Sequence, residues 1–223
     1  MDQKVKWIFF DLGWTIVDEA PAHLERLQKT QSLLTGFGIP SSIDELESLV
    51  QRSAAEFVES PYRGMLSKLV ITNDQRNKIL EEARYNHSLE VLFPGVSELL
   101  MELKKNRNLG IIANQSRGAA KRLEALGILN HLSLVLSSTE VGLSKPDPRI
   151  FKHALEKAEC QPGDAIMVGD RLDNDVSPAK KMGFGTIRVL QGYSRAQVPR
   201  DEFEKPDKTV NAIGDVLAVL EKV

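Results

Sequence analysis

Cysteine and histidine are scarce in this sequence, long apolar runs are absent, and each gap excludes a class of site. The single cysteine, Cys160, excludes an internal disulfide and a Cys-x-x-Cys metal site. The four histidines, His23, His87, His131 and His153, show no metal-ligand spacing. No apolar run reaches the ~20 residues of a transmembrane helix. We therefore expect no thiol- or imidazole-based metal centre and no membrane span.

Positive and negative charges nearly balance, and neither sign is clustered. The chain has 29 Lys and Arg against 31 Asp and Glu, with 42% hydrophobic and 27% charged residues, which is ordinary for a soluble globular protein. Without a basic patch we expect no nucleic-acid partner. The N-terminus lacks the features of a secretory signal, so we expect a cytoplasmic protein without a membrane partner. The sequence makes no prediction of oligomeric state.

An apolar, aromatic stretch near the N-terminus predicts a buried strand that ends at an acidic residue. The run Val-Lys-Trp-Ile-Phe-Phe at 5–10 precedes Asp11. From Pro94 onward, apolar strands alternate with amphipathic helices, which predicts an α/β fold with a doubly wound parallel sheet. We place strands at 109–113, 134–136, 165–168 and 186–189, and helices at 95–105, 119–126, 148–158, 176–182 and 210–220.

Between these two parts the pattern is helical only. Apolar residues recur near helical spacing within 20–86, with breaks at 36–40 and at Ser60-Pro61. We therefore predict an α/β core of residues 1–17 and 91–223, interrupted by an all-α helical bundle of residues 18–90. An insert at that point is expected to cap the strand ends above Asp11, where it would exclude water and select the substrate.

Polar residues stand where predicted strands end or helices begin. In open α/β sheets, ligands bind at the carboxyl ends of the strands, so these segments are candidates for a site. Taken alone, each also fits a helix cap or a turn. They are Asp11, Asn114-Gln115-Ser116, Lys145-Pro146-Asp147-Pro148, and Gly169-Asp170 with Asp175.

The acidic residues among them favour a cation site. A hard cation such as Mg²⁺ prefers oxygen ligands, often one or two carboxylates with water and substrate oxygens. Asp11 and Asp170, at the ends of adjacent strands, would supply them. Lys145 would add positive charge for an anionic substrate or for a nucleophile.

The order of these segments resembles the haloacid dehalogenase-like (HAD) superfamily of hydrolases. The resemblance covers nearly the whole chain, including a helical insert after the first motif. Its most specific parts are the Phe-Asp-Leu opening with Thr15, the Lys-Pro-Asp-Pro segment, and Gly-Asp followed by Asn174-Asp175. It implies a Rossmann-like core with an all-α helical cap.

The resemblance also implies roles for the matching residues. Asp11 would be the nucleophile that attacks phosphorus and forms an aspartyl-phosphate. Lys145 would be the second catalytic residue, neutralising charge on Asp11 and on the phosphoryl group. The implied Mg²⁺ ligands are Asp11, the backbone carbonyl of Gly13, Asp170 and Asp175. The implied phosphate-binding residues are Asn114, Ser116 and Lys145.

Three positions, in two places of the chain, depart from the family's pattern. Gly13 stands where family phosphatases usually carry a second Asp, which protonates the leaving group and then activates water. Trp14 follows it, where a Gly is usual. Ala113 replaces a Thr or Ser whose hydroxyl would bind a phosphoryl oxygen. The residues thus match the family's nucleophile and metal positions but lack its usual acid–base and hydroxyl groups.

Three functional hypotheses follow. The first is a Mg²⁺-dependent phosphohydrolase of a small phosphorylated metabolite with atypical acid–base chemistry. The second is a dehalogenase or phosphonatase-type hydrolase, because those enzymes also lack the second Asp. A dehalogenase is disfavoured because the segment from Asp170 to Asp175 resembles the metal-binding form of this family motif. The third is a weakly active or inactive member that binds a phosphorylated ligand or a partner.

Overall fold

The computed structural model describes residues 5–220, which fall into two compact units. The first unit comprises the described residues up to Asp18 and from Val91 onward. The second unit is the continuous segment Glu19–Glu90.

A six-stranded parallel sheet forms the centre of the first unit, in the order β5-β4-β1-β6-β7-β8. All four residues of the central strand β1 are buried, because both faces of the sheet are covered. The prediction of a doubly wound parallel sheet is confirmed. The strands are β1 Trp7–Phe10, β4 Asn108–Ala113, β5 Leu134–Ser137, β6 Ala165–Gly169, β7 Gly185–Val189 and β8 Lys208–Val210.

Alternate residues of β1 enter two different hydrophobic cores. Ile8 and Phe10 pack in a cluster that includes residues of α5, α6 and α10, and Trp7 and Phe9 pack in another that includes residues of α8 and α9. This alternation follows from the two-residue repeat of a strand. These helices are α5 Val96–Leu103, α6 Ala119–Ala125, α8 Pro148–Ala158, α9 Ser177–Lys181 and α10 Val216–Leu220, and a shorter helix, α7, spans Ser138–Val141.

The C-terminal helix predicted at 210–220 is wrong in its first half. Lys208–Val210 instead forms strand β8, paired with β7, and α10 begins only at Val216. The β-branched Thr209 and Val210 suit a strand at the edge of the sheet. Asp215 then accepts a hydrogen bond from the Ala212 backbone N–H at 3.1 Å, which caps the turn before the helix.

Glu19–Glu90 contains four α-helices, and the structure describes every residue of this segment. Ser42 and Glu45 form a reciprocal capping box at the start of α2, and Thr72 and Gln75 form another at the start of α4. Helix α3 lies within the segment predicted to be helical and begins at the Ser60-Pro61 break, with Ser60 as its cap. The helices are α1 Ala20–Gly36, α2 Ile43–Ala55, α3 Pro61–Lys68 and α4 Asn73–Glu82.

A short antiparallel ribbon lies where the chain leaves the first unit and where it returns. It pairs β2, Val17–Asp18, with β3, Val91–Leu92. Among residues 5–220, no helix is long and apolar enough to cross a membrane.

Candidate active site

The candidate site is centred on Asp11, which follows β1 directly. Its backbone N–H donates to the Val168 carbonyl of β6 at 2.9 Å, which continues the pairing between these strands. Because β1 lies between β4 and β6, the residues that follow Ala113 and Gly169 reach the same edge of the sheet as Asp11. The parallel arrangement therefore brings three of the predicted polar segments together.

Lys145 links Asp11 to Asp175. Its Nζ lies 2.5 Å from Asp11 Oδ1 and 2.6 Å from Asp175 Oδ1. The side chains of Lys145 and Asp175 are only 2% and 1% exposed, whereas that of Asp11 is 15% exposed. Burial alone would lower the pKa of Lys145, but the Asp11 and Asp175 carboxylates outweigh that effect and raise it. Lys145 is thus a fixed positive charge, and Asp11 is the more accessible of its two partners.

Asn114 orients Lys145 through the backbone. Its Nδ2 donates to the Lys145 carbonyl at 2.8 Å, and its Oδ1 accepts from the Lys145 N–H at 2.8 Å. These two bonds use both ends of the side-chain amide. The contacts of Asn114 therefore make it a positioning residue for Lys145, and its predicted part in phosphate binding stays a prediction.

Ser116 lies on the loop that follows β4. Arg122 Nη1 donates to Ser116 Oγ at 3.3 Å. The loop is held by the Gln115 carbonyl, which accepts from Ser137 Oγ at 3.1 Å and from Thr139 Oγ1 at 2.7 Å. The predicted phosphate-binding role of Ser116 is likewise untested by this geometry.

Asp170 follows β6 directly, and Asp175 lies on the π-helical turn that comes next, Leu172–Val176. An added Cβ at Gly169 would lie 2.4 Å from the Asp175 carboxyl carbon, so only glycine lets that carboxylate fold back over the strand end. The Arg171 N–H donates to Asp175 Oδ2 at 3.0 Å and fixes its direction. The glycine of the Gly-Asp pair is therefore needed for the position of the Asp175 carboxylate.

Asp11, Asp170 and Asp175 form a compact acidic cluster whose ligand atoms lie within 4.8 Å of one another. Burial, then the neighbouring carboxylates, raise the pKa of Asp170 well above its ordinary value. Burial also raises the pKa of Asp175, to about 6, although Lys145 partly opposes it.

Lys145 is paired with two of these carboxylates, whereas the nearby Arg171 is paired with Asp173 and Arg188 donates to the Asp170 carbonyl. The three carboxylates therefore outnumber the cation charge that is paired with them. Oxygen donors with unbalanced negative charge fit a divalent cation such as Mg²⁺.

Comparisons with known proteins identify the family of this chain. Residues 8–189 match the family of haloacid dehalogenase-like hydrolases. The chain belongs to this family. It is a hydrolase by that membership.

Several relatives of this HAD-family chain are phosphatases by name. A glyceraldehyde 3-phosphate phosphatase of Methanocaldococcus jannaschii is 32% identical over 229 residues, which cover 98% of each chain. Phosphoglycolate phosphatase 1 of Pseudomonas aeruginosa is 26% identical over 217 residues, 94% of this chain and 78% of that protein. A HAD-superfamily hydrolase of Geobacter sulfurreducens shares the fold, with a TM-score of 0.71 and 20% identity over 97% of this chain and 96% of that one.

The departures from the family pattern lie just after Asp11 in the chain and at the end of the neighbouring strand β4. Gly13 is half-buried and pairs with Val17 in an isolated bridge, and the proposed role of its carbonyl in metal binding stays a prediction. Trp14 has a left-handed backbone, with φ of 56°, where the family's usual glycine would be unstrained. Ala113 is fully buried and ends β4 without a hydroxyl to offer.

Sequence reasoning missed two residues that support Asp170. The side chain of Ser194 hydrogen-bonds the Asp170 carboxylate. Arg188, which is buried, donates from Nε to the Asp170 carbonyl at 3.3 Å and from Nη2 to the Ser194 carbonyl at 2.8 Å. The available signal was an arginine inside the otherwise uncharged strand β7, because a buried arginine requires partners.

Proposed function

We propose that this protein is a Mg²⁺-dependent phosphohydrolase of a small phosphorylated metabolite, with Asp11 as nucleophile. The observation that carries the proposal is the contact of Asp11 with the buried Lys145 beside two further carboxylates, Asp170 and Asp175. The phosphatase names of the relatives support the same reaction class.

In the proposed first step, one carboxylate oxygen of Asp11 attacks phosphorus and forms an aspartyl-phosphate. The bond from phosphorus to the leaving oxygen breaks, and its electron pair goes to that oxygen. Lys145 engages Oδ1 of Asp11, which leaves Oδ2 as the attacking atom. The lysine charge also stabilises the negative oxygens of the phosphoryl group in transit.

The residues that would hold Mg²⁺ are Asp11, Asp170, Asp175 and the backbone carbonyl of Gly13. When bound, the ion supplies positive charge that stabilises the transferring phosphoryl group. Lys145 holds Asp11 and Asp175 in place, so the carboxylates do not have to reorganise before they bind a cation.

Proton transfer is the weak part of the proposed cycle. Gly13 can neither protonate the leaving oxygen nor activate the water that hydrolyses the aspartyl-phosphate. General acid–base help is worth about 10²–10⁴-fold in rate. We therefore propose substrates with good leaving groups, such as acyl phosphates, and slow hydrolysis of the aspartyl-phosphate. We further propose that the helical unit, Glu19–Glu90, selects the substrate.

The test is phosphate release from acetyl phosphate and from an activated aryl phosphate, with Mg²⁺ and with EDTA, in wild type and Asp11→Asn. We expect Mg²⁺-dependent release that falls to background in Asp11→Asn, and a phosphorylated protein that can be trapped by acid quench only in wild type. Release that persists in folded Asp11→Asn would contradict the nucleophile. Halide release from a 2-haloacid without metal would favour a dehalogenase, and ligand-induced stabilisation without turnover would favour a binding protein.

A further inference from the structure

Trp14 has an unusual backbone for a tryptophan. Its φ of 56° lies in the left-handed region, which side chains with a Cβ rarely adopt. A residue stays in such a conformation only where its surroundings hold it there. The contacts of the Trp14 side chain therefore indicate what holds it.

The Trp14 ring is seated over Gly192. A Cβ added at Gly192 would lie 2.4 Å from Trp14 Cδ2 and 2.5 Å from its Cγ, so the ring occupies the space that any larger residue would need. The neighbouring Tyr193 ring lies at a centroid distance of 4.9 Å and is tilted by 60°. Both partners belong to the segment 190–197, which follows β7 and is called the β7 loop here.

The β7 loop also supports Asp170. The Ser194 side chain hydrogen-bonds the Asp170 carboxylate. Arg188 donates to the carbonyls of Ser194 and Gln197 at 2.8 and 3.0 Å, and also to that of Asp170 at 3.3 Å. Gln197 Oε1 in turn accepts from the Leu172 N–H at 2.9 Å. One end of the loop thus supports Asp170 and the start of the turn Leu172–Val176, while Gly192 and Tyr193 contact Trp14.

We propose that Trp14 is a positioning residue that fastens the β7 loop to the nucleophile segment and, through Ser194, sets the Asp170 carboxylate for cation binding. This inference rests on the cation site of the proposed function. The contacts of the ring offset part of the cost of the left-handed backbone, and they connect the segment that carries Asp11 with the loop that supports Asp170.

The test is the Mg²⁺ affinity of the metal-free protein, measured by titration calorimetry at one fixed pH. The variants are Trp14→Gly, Ser194→Ala and the double variant. We expect about tenfold weaker binding in Ser194→Ala, the low end for residues that support metal ligands, and roughly 3–10-fold weaker binding in Trp14→Gly. The double variant should be no more than about twofold worse than Ser194→Ala alone, because both act through one contact.

Trp7→Phe is the matched control. Trp7 is the other of the two tryptophans, and it stacks on Phe9 at the start of β1. The Mg²⁺ affinity of Trp7→Phe should stay within about twofold of the wild-type affinity. If Trp14→Gly does not fold, Trp14→Asn replaces it, since asparagine tolerates a left-handed backbone.

Three results would overturn the inference, and they are distinguishable. Wild-type affinity in a folded Trp14 variant would overturn the role of Trp14 alone. Multiplying effects in the double variant would overturn the route through Ser194. Absence of Mg²⁺ binding in wild type would overturn the proposed cation site and this inference together.

Discussion

Two sets of residues around Asp11 differ in what they offer to a reaction. In the first, called the complete set here, Lys145, Asp170 and Asp175 are buried, Lys145 contacts Asp11, and both carboxylates have an oxygen within 4.8 Å of an Asp11 oxygen. In the second, called the incomplete set, Gly13 and Ala113 carry no polar side chain. The difference indicates that the groups suited to nucleophilic attack and cation binding are separate from those suited to proton transfer and hydroxyl contacts, and that only the first set is complete here.

Substitution of Lys145 would remove one member of the complete set, and we expect this change to have the largest effect. Lys145→Met leaves three buried or half-buried carboxylates without their lysine, and loss of one partner of a buried ion pair costs about 3–5 kcal/mol. Turnover should fall by about 10³-fold or more, the scale of a lost transition-state charge contact. Lys152→Met, at a side chain that is 72% exposed on α8, is the control for the substitution itself. Equal losses in both variants would contradict the special role of Lys145.

An acid at position 13 would supply the general acid that the incomplete set lacks. Gly13→Asp should raise turnover of substrates with poor leaving groups by up to about 10²-fold and of activated substrates by much less, because only the former need a proton. Gly13→Asn has the same shape without a transferable proton and should give no gain. Steady-state rates on an alkyl and an activated aryl phosphate compare them. Equal gains on both substrates would contradict a missing general acid as the main defect.

Restoring a hydroxyl at the end of β4 should have a smaller effect. Ala113→Thr would offer one more donor to the phosphoryl group, and we expect roughly a tenfold higher kcat/KM, below the full value of one transition-state donor because the site did not form around it. Ala113→Val matches the threonine in volume and controls for overpacking of this buried position. An equal gain in kcat/KM for Ala113→Val and Ala113→Thr would show that the effect comes from packing and not from the hydroxyl.

The smallest expected effect is on the stability of the metal-free protein. Burial raises the pKa of Asp175 to about 6 in the folded protein, so folding favours the neutral carboxyl. The contribution of this group to the free energy of unfolding is therefore lost as the pH rises through 6. The pKa of Asp170 is shifted in the same direction. In EDTA, Asp170→Asn should therefore raise the Tm relative to wild type more at pH 7.5 than at pH 5, by about 2–4 °C per kcal/mol gained.

Asp173→Asn is the control for that comparison. It changes a carboxylate in the same turn that pairs with Arg171 at 2.8 Å rather than with the acidic cluster. A pH-independent Tm difference between Asp170→Asn and wild type would contradict the excess negative charge at the site.

Buried parallel strands could be predicted from the sequence because they are continuous apolar runs. The prediction at 165–168 falls within β6, Ala165–Gly169, and the helix predicted at 148–158 is α8. Strand β8 was missed because an edge strand with exposed Lys208 and Thr209 lacks such a run. The segment that holds helix α3 was predicted to be helical, but the bounds of α3 were not predicted, because this helix is short and contains Gly64, a poor helix former.

The site could be predicted only where its residues follow strand ends. Asp11 and Asp170 meet because their strands are parallel neighbours, which the α/β pattern predicts. The bonds from Asn114 to the Lys145 backbone, and from Ser194 to Asp170, join residues far apart in the chain. No local pattern encodes such contacts, since they depend on how loops of particular length pack.

The most direct test of the account is the leaving-group dependence of Mg²⁺-dependent phosphate release by the wild-type protein. A series of aryl phosphates of similar size and increasing leaving-group pKa supplies the comparison. The account predicts a steep fall in kcat/KM as the leaving-group pKa rises, because Asp11 attacks without a general acid at position 13. A kcat/KM that is nearly independent of leaving-group pKa would show that another residue supplies the proton. That result would contradict the division of the residues around Asp11 into a complete and an incomplete set.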